Sequence, residues 1–283
     1  MEAPEDRGGW AGWLGSLERE APPGEREWLD RIAFHVIDRV GPRPGETVAD
    51  LGAGTGLLSL KAARLVGPRG KVIAVDSSAA CLEVLVLRAR EGSLSNLTAC
   101  VGDLTSLPLK TASCDCALCR SAFIYTTDVV AALREMRRVL APGGRYSVFE
   151  PLQVEAEVVA SREGVRLDEE VALMERTLRE KRTSYSLDRA ALRDAFREAG
   201  FGENDSLALH FTVTMEGRDP EDVAGEYLRD LPGELSAFSV LEAEFGGERV
   251  LRGAERFAAQ ACRGDLAVRV PGLLVWGTRP SVR

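Results

Sequence analysis

The stretch that most constrains this chain is Val48-Ala49-Asp50-Leu51-Gly52-Ala53-Gly54-Thr55-Gly56. Thr47 to Leu51 reads as a short buried strand, the three alternate glycines as a turn, and Leu57, Leu60, Ala63 and Leu65 as the apolar spacing of a helix. A strand–turn–helix of this kind is a ligand cradle. Glycine adopts positive φ and lets the backbone approach a bound molecule, while the first N–H groups of the helix and its positive end face the same point, suiting a carboxylate or phosphate. A dinucleotide fingerprint needs G-x-G-x-x-G; here the third glycine comes one residue early, and Leu57 stands where that fingerprint wants glycine. A glycine turn that binds nothing is the plain alternative.

Charge narrows what such a cradle serves. Asp and Glu outnumber Lys and Arg by 44 to 36, a formal charge of -8, which argues against a polyanion such as nucleic acid as the main partner. The acidic start Met1-Glu2-Ala3-Pro4-Glu5-Asp6 has no apolar core of a signal segment, and no run of about 18 apolar residues occurs. The expectation is a soluble cytoplasmic protein without a membrane partner. Cys114-x-Cys116-x-x-Cys119 invites a metal or thiol reading, but the residues alternate through a strand-like run, and buried thiols pack as small apolar groups. No metal is expected.

The rest of the chain alternates strands and helices. Residues 1–26, with Trp10 and Trp13, read as a flexible arm or a flap that orders over a ligand; Glu25 to Val40 reads as an amphipathic helix. Lys71 to Asp76 is a second buried strand, and Asp76, 20 residues beyond Gly56, is placed to accept both hydroxyls of a ribose, or else to cap the helix starting near Ser78. Leu97 to Val101 is a third strand, followed by the turn Gly102-Asp103-Leu104. Cys114 to Cys119 is a fourth, leading to Arg120-Ser121-Ala122-Phe123-Ile124-Tyr125, and Asp128 to Leu140 a helix closed by Ala141-Pro142-Gly143-Gly144. Arg145 to Phe149 is a fifth strand, ending at Glu150. Right-handed crossovers bring all these strand ends to one side.

The run D-L-G-A-G-T-G resembles the first motif of the class I S-adenosylmethionine-dependent methyltransferases. G-D-x-x-x-L-P, from Gly102, resembles their adenine-binding motif, and A-L-R-E-M-R-R-V-L-A-P-G-G-R-Y-S-V-F-E-P is similar to the closing segment of the ubiquinone/menaquinone-biosynthesis type (methyltransferase type 11/25). With the acidic tip of the second strand, four motifs fall in order from Thr47 to Pro151.

The resemblance implies an α/β fold: a Rossmann-like, doubly wound, mostly parallel seven-stranded sheet with helical lid insertions. Residues 27–283 would form the methyltransferase domain, with a cofactor core over 45–151 and charged or helical insertions over about 153–184 and 217–263 forming a substrate lid. It implies S-adenosyl-L-methionine as cofactor, held by Asp50, Gly52, Ala53, Gly54, Gly56, Asp76, Ser77, Gly102, Asp103, Leu104 and Arg120. Asp103 would accept from the adenine amine and Leu104 flank the ring; Asp103 could instead be an ordinary turn residue.

The implied chemistry is in-line displacement of a methyl group from sulfonium sulfur, for which placing the acceptor supplies most of the rate. Tyr125, Glu150 and His35 are the candidates for touching substrate, Tyr125 against the alternative of pocket wall and Glu150 against that of a solvated or capping carboxylate; His35 lies on the N-terminal helix that could roof the pocket, and His210, mid-strand, reads as structural. No N/D-P-P-Y/F segment follows the fourth strand, and no acidic pair of the protein-arginine type is present, so a small organic acceptor methylated on O, N or C is expected. A homodimer is open. So are two other outcomes: the cofactor used for another reaction, such as cyclisation or decarboxylation, and a cofactor-binding subunit without catalysis.

Overall fold

The computed structural model describes residues 10–12, 14, 23–152, 155–181, 187–202, 204–228 and 237–280. Trp13, Tyr185, Leu231 and most of the expected arm lie outside the described residues. The chain divides into two compact units. The first comprises Met1–Pro151, Arg189–Ala208 and Leu273–Arg283; the second comprises Leu152–Asp188 and Leu209–Gly272.

In the first unit, helix α1 (Pro23–Val40) buries Leu29, Ile32, Ala33, Val36, Ile37 and Val40, one stripe at helical period. The core then alternates β1 (Thr47–Leu51), α2 (Leu57–Val66), β2 (Lys71–Asp76), α3 (Ala79–Glu91), β3 (Leu97–Val101), β4 (Cys114–Arg120), α4 (Val129–Val139) and β5 (Leu140–Pro151). The strands lie in the order β3-β2-β1-β4-β5, and these neighbours are parallel. Val48 pairs with Val72 on one side and Cys116 on the other. Val48 to Leu51 and Cys116 to Cys119 are continuously buried, as central parallel strands covered on both faces must be. The thiols of Cys114, Cys116 and Cys119 are thus core side chains, all free; burial pushes Cys116 up to about 12, so it stays protonated at neutral pH.

The Ala141-Pro142-Gly143-Gly144 turn sits inside β5 rather than before it. Leu140 pairs with Cys114 and Arg145 with Cys116, so four residues oppose Asp115 alone. Pro142 has no N–H for the ladder and Gly143 takes φ 75°, which makes this excursion the natural place for the mismatch. Helix α6 (Arg189–Glu198) follows later; its Phe196, and Phe201 just beyond its end, pack around the buried Tyr146, with ring centroids 5.5 and 4.5 Å away.

The second unit holds β6 (Glu157–Ala160), α5 (Glu169–Lys181), α7 (Pro220–Leu228), α8 (Ala237–Phe245) and α9 (Gly247–Cys262). Val171, Val223, Phe257, Ala258, Ala261 and Leu266 form one apolar cluster, and Met174, Leu178, Leu241 and Val250 another. Strands β7 (Asp205–Thr214) and β8 (Leu266–Thr278) run through both units. The sheet has eight strands among the described residues, not seven. The additional one is β6, in a segment expected to be helical; it pairs antiparallel with β8 from Glu157↔Arg269 to Ala160↔Leu266. Its paired β-branched residues, Val158 and Val159, favour a pleat, and helix begins only at Glu169, beyond Gly164 at φ 84°. No helix among the described residues is long and apolar enough to cross a membrane.

Candidate cofactor and active site

Parallel register brings the carboxyl ends of β1, β2, β3, β4 and β5 to one edge, with Leu51 beside Val75 and Cys119, Asp76 beside Val101, and Arg120 beside Phe149. The chain winds outward from β1 to β3 and then jumps to β4, so the strand order reverses between β1 and β4. That reversal is where open α/β sheets form a crevice. Gly52 lies on one side of it, at φ 72°, and Ala122 on the other; a Cβ built on Gly52 would stand 2.2 Å from the Ala122 Cβ. Only glycine fits this position, for its conformation and for the close approach alike.

The donors of the glycine turn are spent within the protein. The N–H groups of Gly52 and Ala53 both donate to the Val75 carbonyl, at 2.8 and 3.0 Å, and the Gly54 N–H donates to the Asp76 Oδ2 at 2.8 Å. At the start of α2, the Ser59 hydroxyl donates to Asp50 Oδ2 at 2.6 Å. Asp50 is 1% exposed, and its pKa is raised to about 6, chiefly by burial, with the neighbouring Asp76 charge adding and Ser59 and Arg120 opposing. The anion cradle that the glycines suggested is therefore an acid-lined turn: the Val75 carbonyl and the Asp76 carboxylate already hold donors that would have met a phosphate. Such a seat suits a ligand carrying positive charge and hydroxyl donors.

Asp76, half-buried at the tip of β2, also accepts from the Ser78 N–H at 2.9 Å through its other oxygen. The N-cap of α3 is Ser78 itself, whose hydroxyl accepts from Cys81 N–H, while Ser77 is exposed. At the tip of β3, Gly102 N–H donates to the Asp76 carbonyl, and the exposed Asp103 folds its turn by accepting from Thr105 N–H and hydroxyl through Oδ1, at 2.7 and 2.6 Å. Leu104 beside it is half-buried.

The tips of β4 and β5 are built differently. Glu150 is fully buried, and its carboxylate faces inward: Oε1 accepts from the N–H groups of Ala122 and Phe123 at 3.1 and 3.0 Å, and Oε2 from Ile124 N–H at 3.3 Å. Burial pushes its pKa up to about 7 against the pull of these donors. The residues after β4 make a single turn of 3₁₀-helix, Phe123–Tyr125, entered through Ser121 at φ 54°. Tyr125 is half-buried, its ring edge-on to Trp10 at 4.8 Å between centroids. Arg120 is half-buried and close enough to Asp50 to lower its pKa. His35 lies half-buried on α1, edge-on to the exposed Phe34, and His210 is exposed on β7.

The structure thus gathers Asp50, Gly52, Ala53, Gly54 and Asp76 at one strand edge, Gly54 bonded to Asp76, Gly52 and Ala53 to the adjoining Val75 carbonyl, and Asp50 to Ser59. Glu150 and Tyr125 meet through the 3₁₀ turn. Several residues at this edge carried no sequence signal. Ser59 could have been noticed as a hydroxyl in the first turn of α2 facing an acidic strand end. Leu14, whose Cδ1 would stand 3.0 Å from a Cβ on Gly54, is brought in only by the tertiary path, beside Trp10, which the sequence marks in the expected arm or flap. So is a clamp on the Asp103 loop. Glu135 accepts from Leu107 N–H at 2.8 Å, and Arg138, paired with Glu135 at 2.6 Å, donates to the carbonyls of Leu107 and Leu109.

Comparison with known proteins agrees with this geometry. Residues 42–192 match the methyltransferase domain family. Over 116 residues the chain is 40% identical to the ubiquinone/menaquinone biosynthesis C-methyltransferase UbiE of Hahella chejuensis, covering 41% of this chain and 47% of that protein. Over 146 residues it is 36% identical to an uncharacterised protein from a Streptomyces fradiae transposon, covering 48% of this chain and 42% of the other. The matches span about half the length of these relatives. A solved Bacillus halodurans structure superposes with a TM-score of 0.59 at 16% identity, covering 88% of this chain and 99% of that one, a likeness of fold. The strand-tip acids, the glycine turn at the reversal of strand order and the family match converge: the chain belongs to the methyltransferase domain family, of the class I, S-adenosylmethionine-dependent kind.

Proposed function

We propose that this protein transfers the methyl group of S-adenosylmethionine to a small organic acceptor. The observation that carries this reading is the acid-lined turn. With the N–H groups of Gly52, Ala53 and Gly54 already bonded to Val75 and Asp76, the edge is matched to a cationic nucleoside and mismatched to a phosphate. In this reading Asp76 accepts the ribose hydroxyls, exchanging some of its present backbone donors for them. Asp103 and Leu104 hold the adenine, the first through its carboxylate and the second by packing on the ring. The buried Asp50 and the bonded glycine turn keep the seat shaped and negative, with Arg120 balancing that charge. Bound there, S-adenosylmethionine supplies a methyl carbon on a good leaving group, so that orienting the acceptor on the reacting axis does most of the catalytic work. Tyr125 is the proposed acceptor-side contact, since it ends the 3₁₀ turn that follows β4, on the side of the strand reversal where open α/β sheets bind ligands.

Isothermal calorimetry with S-adenosylhomocysteine tests the seat: the reading expects saturable one-to-one binding, weakened by Asp76→Ala. Absence of heat at millimolar ligand would end it. Mass spectrometry of a panel of phenols, quinones and amines incubated with protein and S-adenosylmethionine then tests the transfer, each product gaining one methyl group.

A further inference from the structure

The sequence offers Glu150 either as a substrate contact at the end of β5 or as a solvated or capping carboxylate, and the structure gives its carboxylate the capping occupation. Three consecutive backbone N–H groups, of Ala122, Phe123 and Ile124, converge on its two oxygens within 3.3 Å, with the Cys119 thiol 3.7 Å from Oε1. These are donors at the entry of the 3₁₀ turn, which has too few residues to satisfy them itself. Glu150 is wholly buried, so no water competes for them. The turn they hold is under conformational load. Ser121, a residue with a Cβ, is kept at φ 54°, tied down by its own N–H to the Phe149 carbonyl at 2.8 Å. Two features of the ligand edge depend on that turn. Ala122 closes on Gly52 at the strand reversal, and Tyr125, whose N–H donates to the Ala122 carbonyl at 3.1 Å, is carried to its place beside Trp10.

We propose that Glu150 is a positioning residue: by binding the N–H groups of Ala122, Phe123 and Ile124 it fixes the turn that sets Ala122 against Gly52 and presents Tyr125, and so shapes the ligand seat without touching the ligand. This rests on the reading of the seat as the S-adenosylmethionine site. Isosteric replacement by glutamine puts an amide N–H₂ opposite backbone donors, so at least one of the three bonds becomes a donor facing a donor. The turn relaxes while the volume of the side chain is kept.

The test compares S-adenosylhomocysteine affinity, by calorimetry, in the wild type, Glu150→Gln and Leu192→Ala. Leu192 is fully buried on α6, so its truncation lowers stability without removing a contact of the turn. Glu150→Gln should weaken binding about tenfold, the size of one lost buried hydrogen bond, while Leu192→Ala, with an equal or larger loss of melting temperature, stays within about twofold of wild type. Binding by Glu150→Gln within about twofold of wild type, or weakening that simply follows melting temperature across both variants, overturns the proposal. Should Glu150→Gln not fold, Ala122→Gly takes its place: it keeps the carboxylate and removes the methyl group that meets Gly52, so binding should weaken about threefold or more, and unchanged binding overturns the proposal. A wild type that binds no S-adenosylhomocysteine refutes the functional reading itself, a result distinct from tight wild-type binding that the variants leave unaltered.

Discussion

Two acids end two parallel strands of the same sheet and do opposite things. Asp76 closes β2 half-buried, and its two oxygens accept from the N–H groups of Gly54 and Ser78. Glu150 closes β5 wholly buried, and its oxygens take three donors from a turn that folds back over the strand end. The donors differ in what a ligand can claim. N–H bonds at a half-buried carboxylate can be exchanged for hydroxyl donors, because solvent reaches it. A triad of bonds in a dry pocket cannot be exchanged, because every donor released would be left without a partner. An acid at a strand tip is thus a ligand group or a structural anchor according to what folds over it, and the one-dimensional pattern does not distinguish the two.

The comparison can be broken at several points. Gly52→Ala should have the largest effect, since its Cβ would collide with Ala122 and the residue would be held at φ 72°; a loss of roughly 2–4 kcal/mol in urea unfolding, together with loss of S-adenosylhomocysteine binding, is expected. Asp76→Ala should leave stability within about 1 kcal/mol but weaken S-adenosylhomocysteine about 30- to 100-fold, and equal affinity in a titration would place the ribose elsewhere. The buried acids predict a pH dependence of similar size. The pKa of Glu150 is raised from 4.5 to about 7 and that of Asp50 from 3.8 to about 6, chiefly by burial, so the folded state holds protons that the unfolded state releases. Their contribution to stability is whole below pH 3.8 and is lost as pH climbs through about 6 and about 7. Between about pH 5 and pH 8, wild type should therefore lose about 1–3 kcal/mol relative to Asp50→Asn/Glu150→Gln, and parallel pH profiles in urea unfolding would contradict the inward, dry placement of these groups. The smallest effect concerns the thiols: native-state labelling by a disulfide reagent should be confined to the half-buried Cys100 and Cys262, and rapid labelling of Cys119 would mean that the β4 core is open to solvent.

Much of the fold was legible because parallel core strands and amphipathic helices are written in local pattern. β1, β2 and β3 carry apolar runs bounded by glycine turns, and their observed limits are the expected ones. Helix α1 announced its stripe through Ile32, Val36 and Val40. Two local readings failed where pairing outweighed local signal. β6 was hidden in a charged segment, since four residues with little alternation become a strand only when β8 lies beside them. The Pro142-Gly143-Gly144 turn became an excursion within β5, because Leu140 had already found Cys114 as its partner.

By itself the sequence determined the strand–turn–helix around Gly52, the acids at the strand tips and the family they point to, for these depend on residue type and spacing along a few neighbouring residues. Only the tertiary structure decided which way each acid faces, that the turn donors of Gly52, Ala53 and Gly54 are consumed inside the protein, and that Trp10 and Leu14 arrive at the same edge. Whether a carboxylate is dry or wet, and which donors reach it, follows from how segments some tens to a hundred or so residues apart pack, and close packing settles that in three dimensions.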